Sequence, residues 1–284
     1  MSLVLQSHCK VNLLLNILGK RKDGFHELET IIQPVPLFDE LRIELLDDGI
    51  ELTCSDPRLS VGEDNLVHRA ASLFLKKSEA DGVRIHLQKN LPLAAGIGAG
   101  SSNAAFTLRG LNELFDTRLN ADEMHEMAAC LGSDVPFFLQ DDPVLASGRG
   151  EIVQPLEPIA ALQGRGLLLI HLGFGVSTPW AYQSLAEMPE AYGHEGQGAT
   201  VLQSLETGEL NGLYNSLETP VFQKHTVLPV LKSFLMENGA LGALMSGSGS
   251  TMFAITENRP AAETLRGKHH EHFGQAGWSA TVAL

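Results

Sequence analysis

The chain has 284 residues, enough for two domains or one large one with a proper core. It is 44% hydrophobic and 19% charged, an ordinary globular balance, and no apolar run is long enough to cross a bilayer. A formal net charge of −14 excludes the broad basic surface that DNA or RNA binding needs. It also repels polyphosphates at long range, so a bound phosphate must be held locally, by backbone N–H groups, a helix terminus, a few lysines and a metal ion.

The N-terminal stretch MSLVLQSHCKVNLLLNILGK is apolar but broken by His8, Lys10 and Asn12. It has no basic leader or small-residue cleavage site, and reads as a strand rather than a signal peptide. Residues 19–24, glycine at both ends, form a turn. Residues 41–46 alternate as a strand, Asp47-Asp48-Gly49 turns the chain, and residues 50–54 read as the returning partner. Leu66, Ala70, Leu73 and Phe74 recur at helical spacing behind Asp64 or Asn65 as N-cap. Residues 83–87 alternate as a strand. Ala104, Leu108, Leu111 and Phe115 mark one face of a helix, and residues 120–131 another helix that Gly132 ends. Residues 155–166, rich in proline and glycine, place a domain boundary near residue 160. Beyond it, 167–170 is a short strand, and Val227, Val230, Leu231 and Phe234 mark a helix. Residues 241–255 hold a glycine–serine turn followed by a strand. This mixed order predicts an α+β fold. Cys9, Cys54 and Cys130 are odd in number and form no CxxC pair, which argues against a disulfide framework or zinc site and for a reducing cytoplasm. The run Lys268-His269-His270-Glu271-His272 reads as a solvated helix face rather than a metal site.

The segment LPLAAGIGAGSSNAA at 91–105 carries the most chemistry. Gly96, Gly98 and Gly100 let the backbone curl, with no Cβ to keep a phosphate away. Ser101 and Ser102 stand where loop becomes helix, and either can offer a hydroxyl to phosphate or metal. The helix that Asn103-Ala104-Ala105 opens has unpaired N–H groups and a positive dipole end in its first turn. Pro92 stiffens the entry. A Walker A loop would end in Gly-Lys-Ser/Thr, and a Rossmann loop would have glycine at 101; neither fits.

The same residues resemble the phosphate-binding motif of the GHMP kinases. KVNLLLNILGKRKDGFHELET at 10–30 and MSGSGSTMFAI at 245–255 are similar to that family's N-terminal and C-terminal motifs, and EDNLVHRAA, LGSDVPFFL, GRGE, VSTPWAY and NSLETPV extend the resemblance along nearly the whole chain. The GKRxDG(Y/F)HE pattern points to the branch that phosphorylates the 2-hydroxyl of a cytidine diphosphate sugar alcohol in non-mevalonate isoprenoid biosynthesis. The resemblance implies a ribosomal protein S5 domain 2-like N-terminal domain over 1–160 and a ferredoxin-like C-terminal domain over 161–284. It implies ATP as co-substrate, with Mg²⁺ bridging its β- and γ-phosphates. ATP would be held by Pro92, Ala95, Gly96, Ile97, Gly98, Ala99, Gly100, Ser101, Ser102 and Asn103, with Asn65 and Leu66 flanking the adenosine. Ser101 or Ser102 would be the Mg²⁺ hydroxyl. Asp134 matches the catalytic aspartate and Lys10 the lysine that keeps it ionised and stabilises the developing alkoxide.

On the substrate side, the resemblance implies that Phe25 stacks on cytosine, His26 bonds its edge and Asn12 contacts the methylerythritol end. Thr178, Tyr182 and the turn Ser246, Gly247, Ser248 and Gly249 complete the set. Position alone leaves other readings open: Asp134 also fits a helix N-cap, and Lys10 a lysine snorkelling from an apolar strand. Three positions depart from the branch pattern. Ala99 stands where glycine is usual and would carry about 1 kcal/mol of strain if its φ is positive. Phe25 replaces the commoner tyrosine, and His171-Leu172-Gly173 replaces a proline-containing stretch. None removes a catalytic group. Another GHMP kinase, or a non-catalytic nucleotide-binding member, stands as the alternative. The sequence specifies no nucleic-acid or membrane partner and no oligomeric state.

Overall fold

The computed structural model describes residues 2–78, 80–115 and 119–284. They form two compact units, one made of the described residues within 2–9, 37–92 and 98–141 and the other of 10–36, 93–97 and 142–284. The boundary expected near residue 160 follows the chain, whereas these units interleave. The reason is strand length: β1 (Ser2–Lys20) and β2 (His26–Leu46) each contribute to both.

In the first unit, β2 pairs antiparallel with β4 (Gly82–Gln88), Glu40 opposite Gln88 through Leu46 opposite Gly82. The strand β3 (Gly49–Cys54) pairs parallel with β4 and not back onto residues 41–46, which corrects the expected hairpin. The turn at Asp47-Asp48 cannot fold β3 onto β2 because β4 occupies that edge. Gly82 makes the insertion possible: a Cβ there would lie 2.4 Å from the Asp48 carbonyl carbon. Helices α1 (Leu66–Ser78), α2 (Ala99–Leu114) and α3 (Ala121–Leu131) supply apolar faces to this unit, with Ala70, Phe74, Leu108, Leu111, Met124 and Ala128 buried together with Leu41, Ile43 and Ile85. Asn120 caps α3 through a reciprocal capping box with Glu123.

In the second unit, β1 pairs parallel with β8 (Tyr214–Asn215), and β2 pairs antiparallel with β5 (Val144–Ser147), which pairs in turn with β6 (Ile152–Pro155). A second, four-stranded antiparallel sheet has the order β11 (Trp278–Ala283), β7 (Gly166–His171), β10 (Met252–Thr256), β9 (Gly242–Met245). Helices α4 (Thr178–Ala186), α5 (Gln197–Glu206), α6 (Glu218–Lys224), α7 (Val227–Glu237) and α8 (Arg259–Phe273) complete it. Leu168, Ile170, Leu231, Leu235, Met252 and Leu265 lie in its core. On α7 the buried face is Leu228, Leu231 and Leu235; Val227 and Val230, expected inward, are exposed. The histidine run on α8 is not uniformly solvated either. His269 continues the buried stripe of Ala262 and Leu265 and is 2% exposed. No helix among the described residues is long and apolar enough to cross a membrane.

Candidate active site

Within the second unit, two glycine-rich segments far apart in sequence are laced together. Segment 93–97 bends through Ala94 (φ 51°) and Gly96 (φ 77°). Its last three carbonyls are taken: Ile97 O accepts from Lys10 N at 3.0 Å, Gly96 O from Ser246 Oγ at 3.0 Å and Ala95 O from Thr251 N at 3.2 Å. A Cβ on Gly96 would lie 2.3 Å from Ser246 O and 2.9 Å from Gly249 N, so only glycine permits this approach. The turn at 246–251 closes on itself through Ser246 N to Thr251 O and Gly249 N to Ser246 O, both 2.9 Å. Asn215 holds it from behind. Its amide donates to Met245 O at 2.7 Å and Gly247 O at 2.8 Å, and its Oδ1 accepts from Leu217 N. On the outer side, the hydroxyls of Thr178 and Ser248 are 2.8 Å apart.

Lys10 is 3% exposed. Its ammonium donates to Asn12 Oδ1 at 2.5 Å, Asn12 donates to Thr30 Oγ1, and Thr30 donates to Leu14 O. A Cβ on Gly247 would fall 3.3 Å from Lys10 Nζ, which puts the ammonium beside the second glycine turn. Lys10 therefore points inward and does not snorkel.

A second feature of this unit is aromatic. The His26 ring lies 5.1 Å from that of Tyr182 and 6.2 Å from that of Tyr192. It is 8% exposed, and Nε2 has no hydrogen-bond partner. Burial, with Lys20 nearby, pushes its pKa below the ordinary histidine value, so the ring is neutral at pH 7. Phe25 next to it is half exposed, and the Arg149 guanidinium sits 4.6 Å over its ring.

In the first unit, α2 opens directly from Gly98, which is left-handed at φ 69° and supplies no side-chain cap. The N–H groups of the first turn thus lack the usual capping partner, the arrangement that favours an anion. Ala99 is the first helical residue and does not have positive φ; the expected strain there is corrected, and it falls on Ala94 instead. Gly100 is exposed and Ser101 half-buried, whereas the Ser102 hydroxyl is sealed and unpartnered. The side chain of Asn103 is engaged inside the unit, with Ser7, Asp39 and Lys89. Asn65 uses its side chain to cap α1, accepting from Val67 N and donating to Ser60 O. Leu66 is half-buried, 3.7 Å from where a Gly100 Cβ would stand. Asp134 is exposed after α3. The 3-10 turn Pro136–Leu139 takes Val135 as its N-cap residue, so the capping position is not Asp134's.

Thr30, Tyr192, Asn215 and Arg149 emerge only from the structure. Asn215 and Arg149 lie in NSLETPV and GRGE, which the resemblance covers without giving either a role. Thr30 closes the 10–30 motif, likewise without a given role, and Tyr192 carries no local signal.

An uncapped helix terminus behind a glycine turn, a buried lysine and a second glycine–serine turn are the parts of a small-molecule kinase. Models of the GHMP kinases N terminal domain and the GHMP kinases C terminal region match residues 65–141 and 196–275. The chain belongs to the GHMP kinases. It is 40% identical to 4-diphosphocytidyl-2-C-methyl-D-erythritol kinase of Synechococcus sp. (strain JA-3-3Ab), covering 97% of this chain and 92% of that one. It is likewise 40% identical to the kinase of that name from Syntrophus aciditrophicus (strain SB), over 92% and 94% of the two chains. A crystal structure of 4-(cytidine 5'-diphospho)-2C-methyl-D-erythritol kinase superposes with a TM-score of 0.82 at 34% identity, covering 99% of this chain and all of that one. Homoserine kinase from Cytophaga hutchinsonii, 19% identical over 100% of this chain and 95% of that one with a TM-score of 0.74, shares the fold.

Proposed function

We propose that the chain transfers the γ-phosphoryl group of ATP to the 2-hydroxyl of 4-diphosphocytidyl-2-C-methyl-D-erythritol, a step of non-mevalonate isoprenoid precursor biosynthesis. The observation that carries the substrate is His26. A neutral, buried imidazole with a free Nε2, boxed by Tyr182 and Tyr192, is built for the polar edge of a flat base. Phe25 offers a ring face to the same base. The relatives that carry this enzyme's name, at 35–40% identity over nearly the whole chain, support the choice.

In this reading residues 92–103 bind the ATP phosphates, with Asn65 and Leu66 beside the adenosine. The turn Ser246, Gly247, Ser248 and Gly249, together with Asn12, Thr178 and Tyr182, lies on the substrate side. Asp134 accepts or orients the proton of the attacking hydroxyl, and Lys10 neutralises the charge that develops as the alkoxide forms. The proton leaves the hydroxyl oxygen as its bond to phosphorus forms, and ADP departs with the electron pair of the broken bond. Mg²⁺ fits a site with few protein ligands, because it is held largely by phosphates and water; Ser101 or Ser102 would hold it, Ser101 being the hydroxyl open to solvent. When bound, the ion supplies charge neutralisation at the β- and γ-oxygens. Residues 1–160 supply the ATP loop, Lys10 and Asp134, and 161–284 the second GHMP half. The acidic chain and its free cysteines support a small-molecule enzyme of the cytoplasm.

A coupled ADP-release assay tests this, with Mg²⁺ and the cytidine substrate, and with mevalonate and homoserine as competitors for the assignment. Turnover confined to the cytidine compound is expected. Turnover with mevalonate or homoserine instead selects another GHMP kinase. Calorimetric ATP binding without any turnover, in folded protein, selects a non-catalytic member.

A further inference from the structure

Asp39, in β2, is 0% exposed and belongs to none of the motifs. Its carboxylate is fully engaged. One oxygen accepts from the backbone N–H groups of Asn90 at 2.7 Å and Leu91 at 2.9 Å. The other accepts from Asn103 Nδ2 at 3.1 Å and is ion-paired to Lys89, whose side chain is 3% exposed. Asn103 Oδ1 in turn accepts from Lys89 Nζ at 3.3 Å, and its amide reaches Ser7 Oγ at 2.8 Å.

The positions of these donors give the carboxylate its meaning. Asn90 and Leu91 stand immediately before Pro92, where the glycine-rich loop begins. Asn103 lies in the first turns of α2, where the loop ends. One buried group therefore bonds the chain at both ends of the loop. A carboxylate offers about four lone-pair sites, and two backbone donors, one amide and one ammonium use them. Lys89 supplies the countercharge that makes such burial tolerable.

We propose that Asp39 is a positioning residue for the nucleotide: by clamping entry and exit of the phosphate loop, it sets the loop's span and hence ATP affinity, without touching ATP. This rests on the reading that residues 92–103 hold the ATP phosphates. It also gives Asn103 a role through its side chain that differs from direct nucleotide contact.

The test compares Asp39→Asn with Lys89→Met in the full chain. An amide at 39 turns one acceptor into a donor, so either the Asn90 and Leu91 N–H groups or the Asn103 and Lys89 donors meet a donor. Lys89→Met removes the charge but leaves all three loop clamps in place. We expect Asp39→Asn to raise KM for ATP at least tenfold. KM for the alcohol substrate should stay within twofold, with kcat at saturating ATP largely kept. Lys89→Met should lose comparable thermal stability yet raise KM for ATP less than threefold. Equal effects of the two variants on ATP KM, or a fall in kcat alone, overturn the proposal. Should Asp39→Asn not fold, Asn103→Ala, which cuts the exit clamp together with the Ser7 and Lys89 bonds but leaves the Asn90 and Leu91 clamps, should raise KM for ATP several-fold, and an unchanged value has the same overturning force. Gly100→Val separates the two readings. If it leaves ATP KM unchanged, the loop reading fails and the clamp with it; if it raises KM while Asp39→Asn does not, the clamp alone fails.

Discussion

Gly96→Ala and Gly100→Ala, four residues apart in one loop, should behave in opposite ways. At Gly96 a methyl group would sit 2.3 Å from Ser246 O, a backbone atom that cannot swing aside, so the two glycine segments must separate by about 1 Å. That separation endangers the Ser246 Oγ to Gly96 O and Thr251 N to Ala95 O bonds, each worth roughly 0.5–1.5 kcal/mol net. Holding alanine at φ 77° adds roughly 1–2 kcal/mol. The total cost is roughly 2–5 kcal/mol, a fall in Tm on the order of 10 °C for a chain of this size. A shift of that scale in a reacting geometry costs on the order of 100-fold in rate. At Gly100 the same methyl meets only Leu66 Cδ1, at an ordinary 3.7 Å, on a helical backbone. There alanine should raise stability by roughly 0.5–1 kcal/mol, while ATP affinity falls because the phosphate loses its close approach. Thermal melts and steady-state kinetics on both variants read this out. A Gly96→Ala protein with wild-type Tm and kcat, or equal losses in both, would refute the reasoning.

Three further outcomes follow from the same geometry. Ala94→Gly should stabilise by about 1 kcal/mol and Ala99→Gly should destabilise by about 0.5–1 kcal/mol, because the positive φ lies at 94 and 99 is helical; urea midpoints in the reverse order would contradict this. Asp134→Ala should lower kcat roughly 100- to 10,000-fold while calorimetric ATP binding persists, and near-wild-type turnover would remove Asp134 from the chemistry. Burial pushes His269 down to about 4, with both ring nitrogens unpartnered. The unfolded chain then binds the extra proton, so stability is full above pH 6.5 and falls as pH drops toward about 4. The loss is on the order of 3 kcal/mol, and His269→Leu should flatten that limb of a pH series of urea melts; an equally steep limb in the variant would exclude His269.

Much of the fold is legible because it is written in local periodicity. The stripes of α1, α2 and α3, the Asn65 cap and the Gly132 stop are all read within a few residues, whereas Asn120, read as the first helical residue, is the N-cap of α3. What escapes is pairing. Residues 50–54 look like the return arm of a hairpin, but the decisive fact, that Gly82 lets β4 enter against Asp48, lies about thirty residues on. The face of α7 slips for a related reason: Val227, Val230 and Leu231 satisfy a helical period as well as Leu228, Leu231 and Leu235 do, and only the packing partner chooses.

The site divides along the same line. Glycine and serine in a loop announce backbone freedom and hydroxyls, so segment 91–105 and the turn at 246–251 are visible as chemistry. Which glycine is irreplaceable is not visible, because that depends on what stands opposite: Ser246 for Gly96, nothing but a leucine methyl for Gly100. The same holds for the groups that keep the site in shape. Asn215 and Asp39 stand beside other polar residues, Ser216 and Glu40, and are indistinguishable in sequence from surface residues. Their meaning comes from the carbonyls and N–H groups they gather from Met245 and Gly247, or from Asn90, Leu91 and Asn103. A buried polar group left with unmet bonds is expensive, so one with every bond met between two ends of a functional loop marks a constraint. In this chain the residues proposed to contact ligands announce themselves by type, and the groups that anchor their segments are found by following each buried hydrogen bond to its end.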